Sequence, residues 1–123
     1  MYTSQVMASL DRESVRRQCL RQPHAYEDFP FGESVAVYKV EGRMFAILVE
    51  NTLSLKCDPG YAVVLREQYA AVSPGYHLNK RHWNTVKLDG SVPRDELEDW
   101  IEESYALVVA GLPRARRPVP SRG

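Results

Sequence analysis

The residues best suited to chemistry in this chain are concentrated between Tyr76 and Val86, a stretch that reads YHLNKRHWNTV. Two histidines, a lysine, an arginine, two asparagines, a tyrosine and a tryptophan fall within its eleven positions, with no carboxylate among them. Closing a hairpin over a core would use Leu78, Val86 and Trp83 but would not require so many donors and aromatic faces. The composition suits a planar or negatively charged partner. Lys80 and Arg81 can neutralise phosphates, Asn79 and Asn84 can bond phosphate or base edges, and Tyr76, His77, His82 or Trp83 can stack. A purely structural use of the same residues stands equally open. In it His77 and Asn79 fix the hairpin backbone, Trp83 fills the core, and Lys80 and Arg81 solvate the turn.

Other chemistries have less support. His77 and His82 are five apart, but only asparagine lies nearby as a third ligand, so no metal site is expected. Asp28, Lys56, Tyr76 and His77 could meet in a pocket over an open sheet face. The chain nevertheless lacks a nucleophile motif, a phosphate-cradling glycine loop and a carboxylate pair. No catalytic residue and no cofactor are assigned, and the chain is read as non-enzymatic. Cys19 and Cys57 lie far apart among apolar neighbours, which fits two buried free thiols in a reducing compartment.

Acidic and basic residues number 16 each in the 123-residue chain, so no global field draws the protein to nucleic acid or membrane. The charge is segregated instead: residues 1–25 carry a net +2, residues 94–111 a net −5, and residues 112–123 a net +4. No run of about 18 apolar residues occurs, so a cytoplasmic protein without membrane contact, and a monomer, is expected. The acidic run with Glu96, Asp99 and Glu103 at helical spacing reads as a solvated face, or else as a docking surface for a basic partner.

The elements that must position the Tyr76–Val86 stretch can be placed by their punctuation. Asp11 suits an N-cap, with Leu10 and Val15 spaced as a hydrophobic staple and Val15, Cys19 and Leu20 forming a stripe that ends before Pro23. Residues 34–40 and 43–49 are β-branched and aromatic runs around Glu41-Gly42, the signature of a tight hairpin. A second short turn at Glu50-Asn51 leads into 52–57, where Leu53, Leu55 and Cys57 alternate with Ser54 and Lys56. That alternation predicts a sheet covered on one face and open on the other. Asp58-Pro59 starts a helix carrying Ala62, Leu65 and Tyr69. Two further strands follow, over 71–76 and 83–88, with a turn at Asp89-Gly90. A last helix over 93–110 carries Leu97, Ile101 and Val108, and Gly111 is expected to end it in a left-handed turn before Leu112-Pro113. Residues 1–113 thus read as one domain and 114–123 as a disordered Arg/Pro-rich tail. Phe29 and Phe31 around Pro30 are expected to plug the sheet edge. Their alternative use is the rim of a ligand groove.

The segments Glu27-Asp28-Phe29-Pro30-Phe31-Gly32, Leu55-Lys56-Cys57-Asp58-Pro59, Pro74 to Val86, and Ser104-Tyr105 through Gly111-Leu112-Pro113 occur in an order that resembles the MmcQ/YjbR family. The resemblance runs from about Asp11 to Arg114. It implies a bacterial α+β domain with an antiparallel sheet of about five to six strands packed against helices, in the CyaY-like (frataxin-like) arrangement. It also implies two protruding hairpins, a double wing, to which a DNA-binding role is attached. The chain departs from the pattern in its short Glu50-Asn51 link and its Arg/Pro tail. The iron chemistry of frataxin proper, tied to acids on the first helix, does not carry over to a first helix bearing Arg12, Arg16, Arg17 and Arg21. The resulting expectation is a nucleic-acid-binding module that contacts phosphates through a hairpin wing, using Lys56, Tyr76, His77, Asn79, Lys80, Arg81, His82, Trp83, Asn84 and Arg114. The alternative is a domain that holds a protein segment or a small anionic ligand.

Overall fold

The computed structural model describes residues 11–118. Helix α1 (Arg12–Leu20) begins where expected, because the Asp11 carboxylate accepts the Ser14 amide at 2.8 Å. Its staple partner Leu10 lies outside the described residues, while Val15 and Cys19 are fully buried. Six strands follow: β1 (Tyr26–Asp28), β2 (Val35–Val40), β3 (Arg43–Val49), β4 (Thr52–Lys56), β5 (Val72–Pro74) and β6 (Trp83–Lys87). Helix α2 (Pro59–Gln68) lies between β4 and β5, and α3 (Arg94–Ala110) follows β6. The class is α+β, with one antiparallel six-stranded sheet in the order β1-β2-β3-β4-β6-β5.

Local chemistry sets the turns. Glu41 and Gly42 both take positive φ, 49° and 79°, as a primed two-residue hairpin requires. Asp58 caps α2 by accepting the amides of Gly60 and Tyr61 at 3.1 and 3.2 Å, with Pro59 at the first helical position. One face of the sheet is roofed by helices, and α3 packs on β2, β3 and β4. In register across the strands, Ala36, Leu48, Leu53, Val86 and Val72 face that roof. They join Val15, Phe45, Leu97, Trp100, Ile101 and Val108 in the core.

A β-bulge between Tyr38 and Lys39 leaves Phe45 without a partner in β2, since Tyr38 pairs with Ala46 and Lys39 with Met44. The freed Phe45 carbonyl accepts the hydroxyl of fully buried Ser104 on α3 at 2.6 Å, and the Ser104 oxygen accepts the Lys56 amide at 2.8 Å. One hydroxyl thus ties the long helix to two adjacent strands. Edge-to-face stacking of Phe45 on Tyr105 and of Tyr69 on Trp100, each at 5.3 Å between ring centroids, fills out the same layer.

The structure adds one element that the sequence did not announce and corrects three expectations. Residues 26–28 form an edge strand paired with β2, so the Glu27–Gly32 stretch begins within the sheet. Phe29 and Phe31 do not plug that edge: they are 46% and 65% exposed, because the chain leaves β1 at Pro30 and projects both rings outward. Gly111 is right-handed, at φ −84° and ψ −5°, because Leu112 (2% exposed) folds back while its amide bonds Val109. The tail also begins docked rather than disordered. Residues Arg114–Arg116 form a 3₁₀ turn, Arg116 pairs with Glu41 at 3.3 Å, and Arg117 donates to the carbonyls of Leu112 and Ala110. Residues 119–123 lie outside the described residues.

Candidate ligand groove

Strands β2 and β3 are apolar on both faces, which a helix on one side alone does not explain. Val35, Val37, Ile47 and Val49 point away from the helices, the Val37–Ile47 row continuing through Ser54 on β4 and Thr85 on β6 and the Val35–Val49 row through Thr52. Two loops, residues 29–34 and 75–82, border this face, which no helix among the described residues covers. Between them lies a groove of about 600 Å³ with Val35, Met44, Ile47 and Val49 on its floor and Phe31, Tyr76, His77 and Leu78 at its margins. This volume lies within the range of small-molecule pockets, roughly 300–1,000 Å³, and an apolar floor with few polar groups is their usual composition.

The polar atoms of the floor are tied to one another. Ser54 Oγ and Thr85 Oγ1 lie 2.8 Å apart, and Thr85 Oγ1 also accepts the Tyr76 amide at 3.0 Å. The second bond draws the start of the loop back onto the sheet. Gly75 makes the approach possible: a Cβ there would stand 2.7 Å from the Cβ of Trp83, closer than real side chains come. The loop then divides. Tyr76, His77 and Leu78 turn to the groove side, while the returning limb is held by Arg66 of α2, which bonds Asn84 Oδ1 at 2.7 Å and the carbonyls of Lys80 and Trp83.

His77 takes φ 59°, as the turn residues His24, Glu41 and Glu50 do at 49–61°, and its ring lies 4.0 Å from that of Tyr76. Tyr76 itself is 72% exposed.

The residues singled out in the sequence separate accordingly. Tyr76 and His77 line the groove. Asn79 caps its own turn by accepting the Arg81 amide at 2.9 Å. Lys80 and Arg81 are exposed beside the groove, with Lys80 Nζ 3.4 Å from the Gly75 carbonyl. His82 is half-buried, and its carbonyl accepts the Cys57 amide at 2.7 Å. Lys56 and Trp83 are cross-strand partners, both half-buried and outside the groove lining. Asn84 faces the helices at 3% exposure, with its amide committed to Arg66 and Ala62, so it offers nothing to a ligand. Arg114 belongs to the 3₁₀ turn whose Arg116 bonds Glu41 in the β2–β3 turn, and it is not among the groove-lining residues. Phe31, Val35, Met44, Ile47 and Val49 were not singled out as one site in the sequence, although Phe31 had a possible place at a groove rim. The signal that could have found them is the two-sided apolarity of residues 35–37 and 44–49.

A second polar cluster lies on the helix side. Arg16 Nε and Tyr38 Oη donate to Glu27 Oε2 at 2.9 and 2.8 Å. Burial alone would raise the Glu27 carboxyl, but these bonds and the Arg16 charge outweigh it and hold its pKa below the ordinary range. The same burial pushes the Tyr38 hydroxyl well up. Cys19 and Cys57 are pushed up to about 12 and about 11, chiefly by burial, which keeps both as thiols at neutral pH. Among the described residues no three His, Cys, Asp or Glu side chains converge as a metal site would require. Nor is any helix among them long and apolar enough to cross a membrane.

With this geometry in place, comparison with known proteins decides the family: residues 20–107 match the family model described as YjbR. The chain belongs to the YjbR family. It is 39% identical over 103 residues to the uncharacterised protein YjbR of Escherichia coli K12, covering 80% of this chain and 87% of that one. It is 34% identical over 104 residues to the uncharacterised protein YbdF of Escherichia coli O157:H7, covering 81% and 85%. A crystal structure of a Deinococcus radiodurans protein superposes with a TM-score of 0.82 at 39% identity, covering 90% of this chain and 86% of that one. A Pseudomonas syringae protein does so with a TM-score of 0.71 at 25% identity, covering 80% and 98%. The family match spans β1 to most of α3, and so includes every strand that floors or borders the groove.

Proposed function

We propose that this YjbR-family chain is a non-catalytic binding domain that holds a small, partly apolar ligand in the groove between the 29–34 and 75–82 loops. The observation that carries this reading is an apolar sheet face that no helix among the described residues covers, left as a groove of about 600 Å³ and bordered by a loop with His77 at positive φ. The floor supplies area for the hydrophobic effect, and the strands supply the rigidity that lowers the entropic cost of binding. Titration with the neutral dye Nile red tests it. Saturable one-to-one fluorescence enhancement, lost when Phe31 and Tyr76 are both changed to alanine, is expected. An unaltered response in that variant contradicts the reading.

The second reading is DNA contact through the same loop. Its support is the exposure of Lys80 and Arg81, neither paired with a carboxylate among the described residues, beside the open face of Tyr76. With Lys87 they supply three phosphate contacts at most, which corresponds to a salt slope of about −3 on a log–log plot. Anisotropy titration of labelled duplex at low and physiological salt, with wild type and the Lys80→Ala/Arg81→Ala variant, separates the two. DNA affinity that falls with salt and vanishes in the variant favours the wing, and its absence at both salts leaves the groove.

A further inference from the structure

The charges around the groove narrow the class of ligand, on the reading that the groove is a binding site. Its lining contains one carboxylate, Glu50, and the Arg12 guanidinium donates to the carbonyl of that same residue. Asp28, on the neighbouring edge strand, is paired with Lys39 at 2.8 Å. The loop that forms the other margin carries His77, Lys80 and Arg81 and no acid from Tyr76 to Val86. Lys80 Nζ stands 3.4 Å from the carbonyl of Gly75, the residue that precedes groove-lining Tyr76, which puts a cation next to this margin, although neither Lys80 nor Arg81 is itself a lining residue. Arg81 is exposed next to it, and among the described residues neither cation is paired with a carboxylate. The remaining polar groups are bonded within the protein, Thr52 to the Val49 carbonyl and Ser54 and Thr85 to each other with Thr85 also accepting the Tyr76 amide, which leaves the floor effectively apolar.

We infer that the groove takes a small amphipathic organic anion, a carboxylate on a short alkyl or aryl body. Its body lies on Val35, Ile47, Val49 and Leu78, and its charged end is directed to the His77–Lys80–Arg81 margin. The floor contributes affinity through buried apolar area and the margin contributes orientation and charge preference. Because the margin is solvent-exposed, the preference is modest and salt-sensitive.

The test compares three ligands of equal chain length below micelle-forming concentrations, octanoate, octanol and octylammonium, by amide shift titration of the full chain. At low salt octanoate is expected to bind about three- to tenfold more tightly than octanol, and octylammonium more weakly than either. In Lys80→Ala/Arg81→Ala octanoate should fall to the level of octanol, with octanol unchanged. Both side chains are exposed, so the variant retains the fold. Equal affinities for octanoate and octanol in the wild type overturn the anion assignment while leaving the groove reading intact. Binding of none of the three overturns the groove reading itself. Cosedimentation with phosphatidylglycerol vesicles without binding of octanoate would assign the face to a membrane surface and also overturn the inference.

Discussion

On the helix side of the sheet Ala36, Leu48, Leu53 and Val86 lie in register across β2, β3, β4 and β6 beneath the helices. The adjacent row of Val37, Ile47, Ser54 and Thr85 lies beneath no helix among the described residues. Both rows are largely withdrawn from water, but by different means. The first is closed by side chains of the helices, and the second is bordered by two loops that leave a groove between them. The helix side therefore carries the stability of the fold. The groove side retains apolar area that the fold does not use, which is the condition for binding something else.

Mutations should divide along the same line. Phe45→Ala removes a fully buried ring packed on Tyr105, and urea denaturation should show a loss of about 3–5 kcal/mol. Phe31→Ala, removing a ring of the same size on the groove side, should change stability by less than about 0.5 kcal/mol. Equal losses at the two sites would erase the distinction. Ser104→Ala comes next, at about 1–3 kcal/mol, because it leaves the Phe45 carbonyl at the bulge without a partner in a buried setting.

Acid should weaken the helix side and the β1 edge. The Asp28 carboxyl is held low by its bond from Lys39, that of Asp11 by the Ser14 amide, and that of Glu27, against burial, by Arg16 and Tyr38. A carboxyl depressed in the folded state binds its proton less readily there than in the unfolded chain. The stability it contributes is therefore full above about pH 4–5 and is lost as pH falls through the depressed values. The urea midpoint should fall between about pH 5 and pH 3, and Glu27→Gln should flatten that fall. The smallest effect has the opposite sign. Burial, then Asp99 and Glu96, raise the Glu103 carboxyl. Its charged form thus costs stability as pH rises through the raised value, and Glu103→Gln should stabilise at pH 7 by no more than about 0.5 kcal/mol.

What was legible in the sequence follows from the range of the interactions involved. Asp11, Glu41-Gly42 and Asp58-Pro59 act within a few residues, and the cap and turn geometries they announce are all present. Strand β1 escaped because three residues before Phe-Pro carry too short a pattern, and pairing with β2 supplies what the local sequence lacks. The Ser104 tie escaped for the same reason in a stronger form, since its partners lie 59 and 48 residues away. Gly111 was misread because the docking of Leu112 closes the helix without a left-handed residue. The candidate groove was half legible. Tyr76 and His77, which line it, stood out by composition, but Asn84 is turned inward by register and Arg114 lies in the terminal 3₁₀ turn outside the lining, neither of which a list of residue types can show.

The most direct test of the division between the two faces is amide shift mapping with octanol, which has no charge to be drawn to Lys80 and Arg81. Shifts confined to Val35, Met44, Ile47, Val49, Ser54, Tyr76, His77, Leu78 and Thr85, with Leu97 to Val108 of α3 unmoved, are the predicted result. Shifts spread through α3, or none on the uncovered face, would contradict the account.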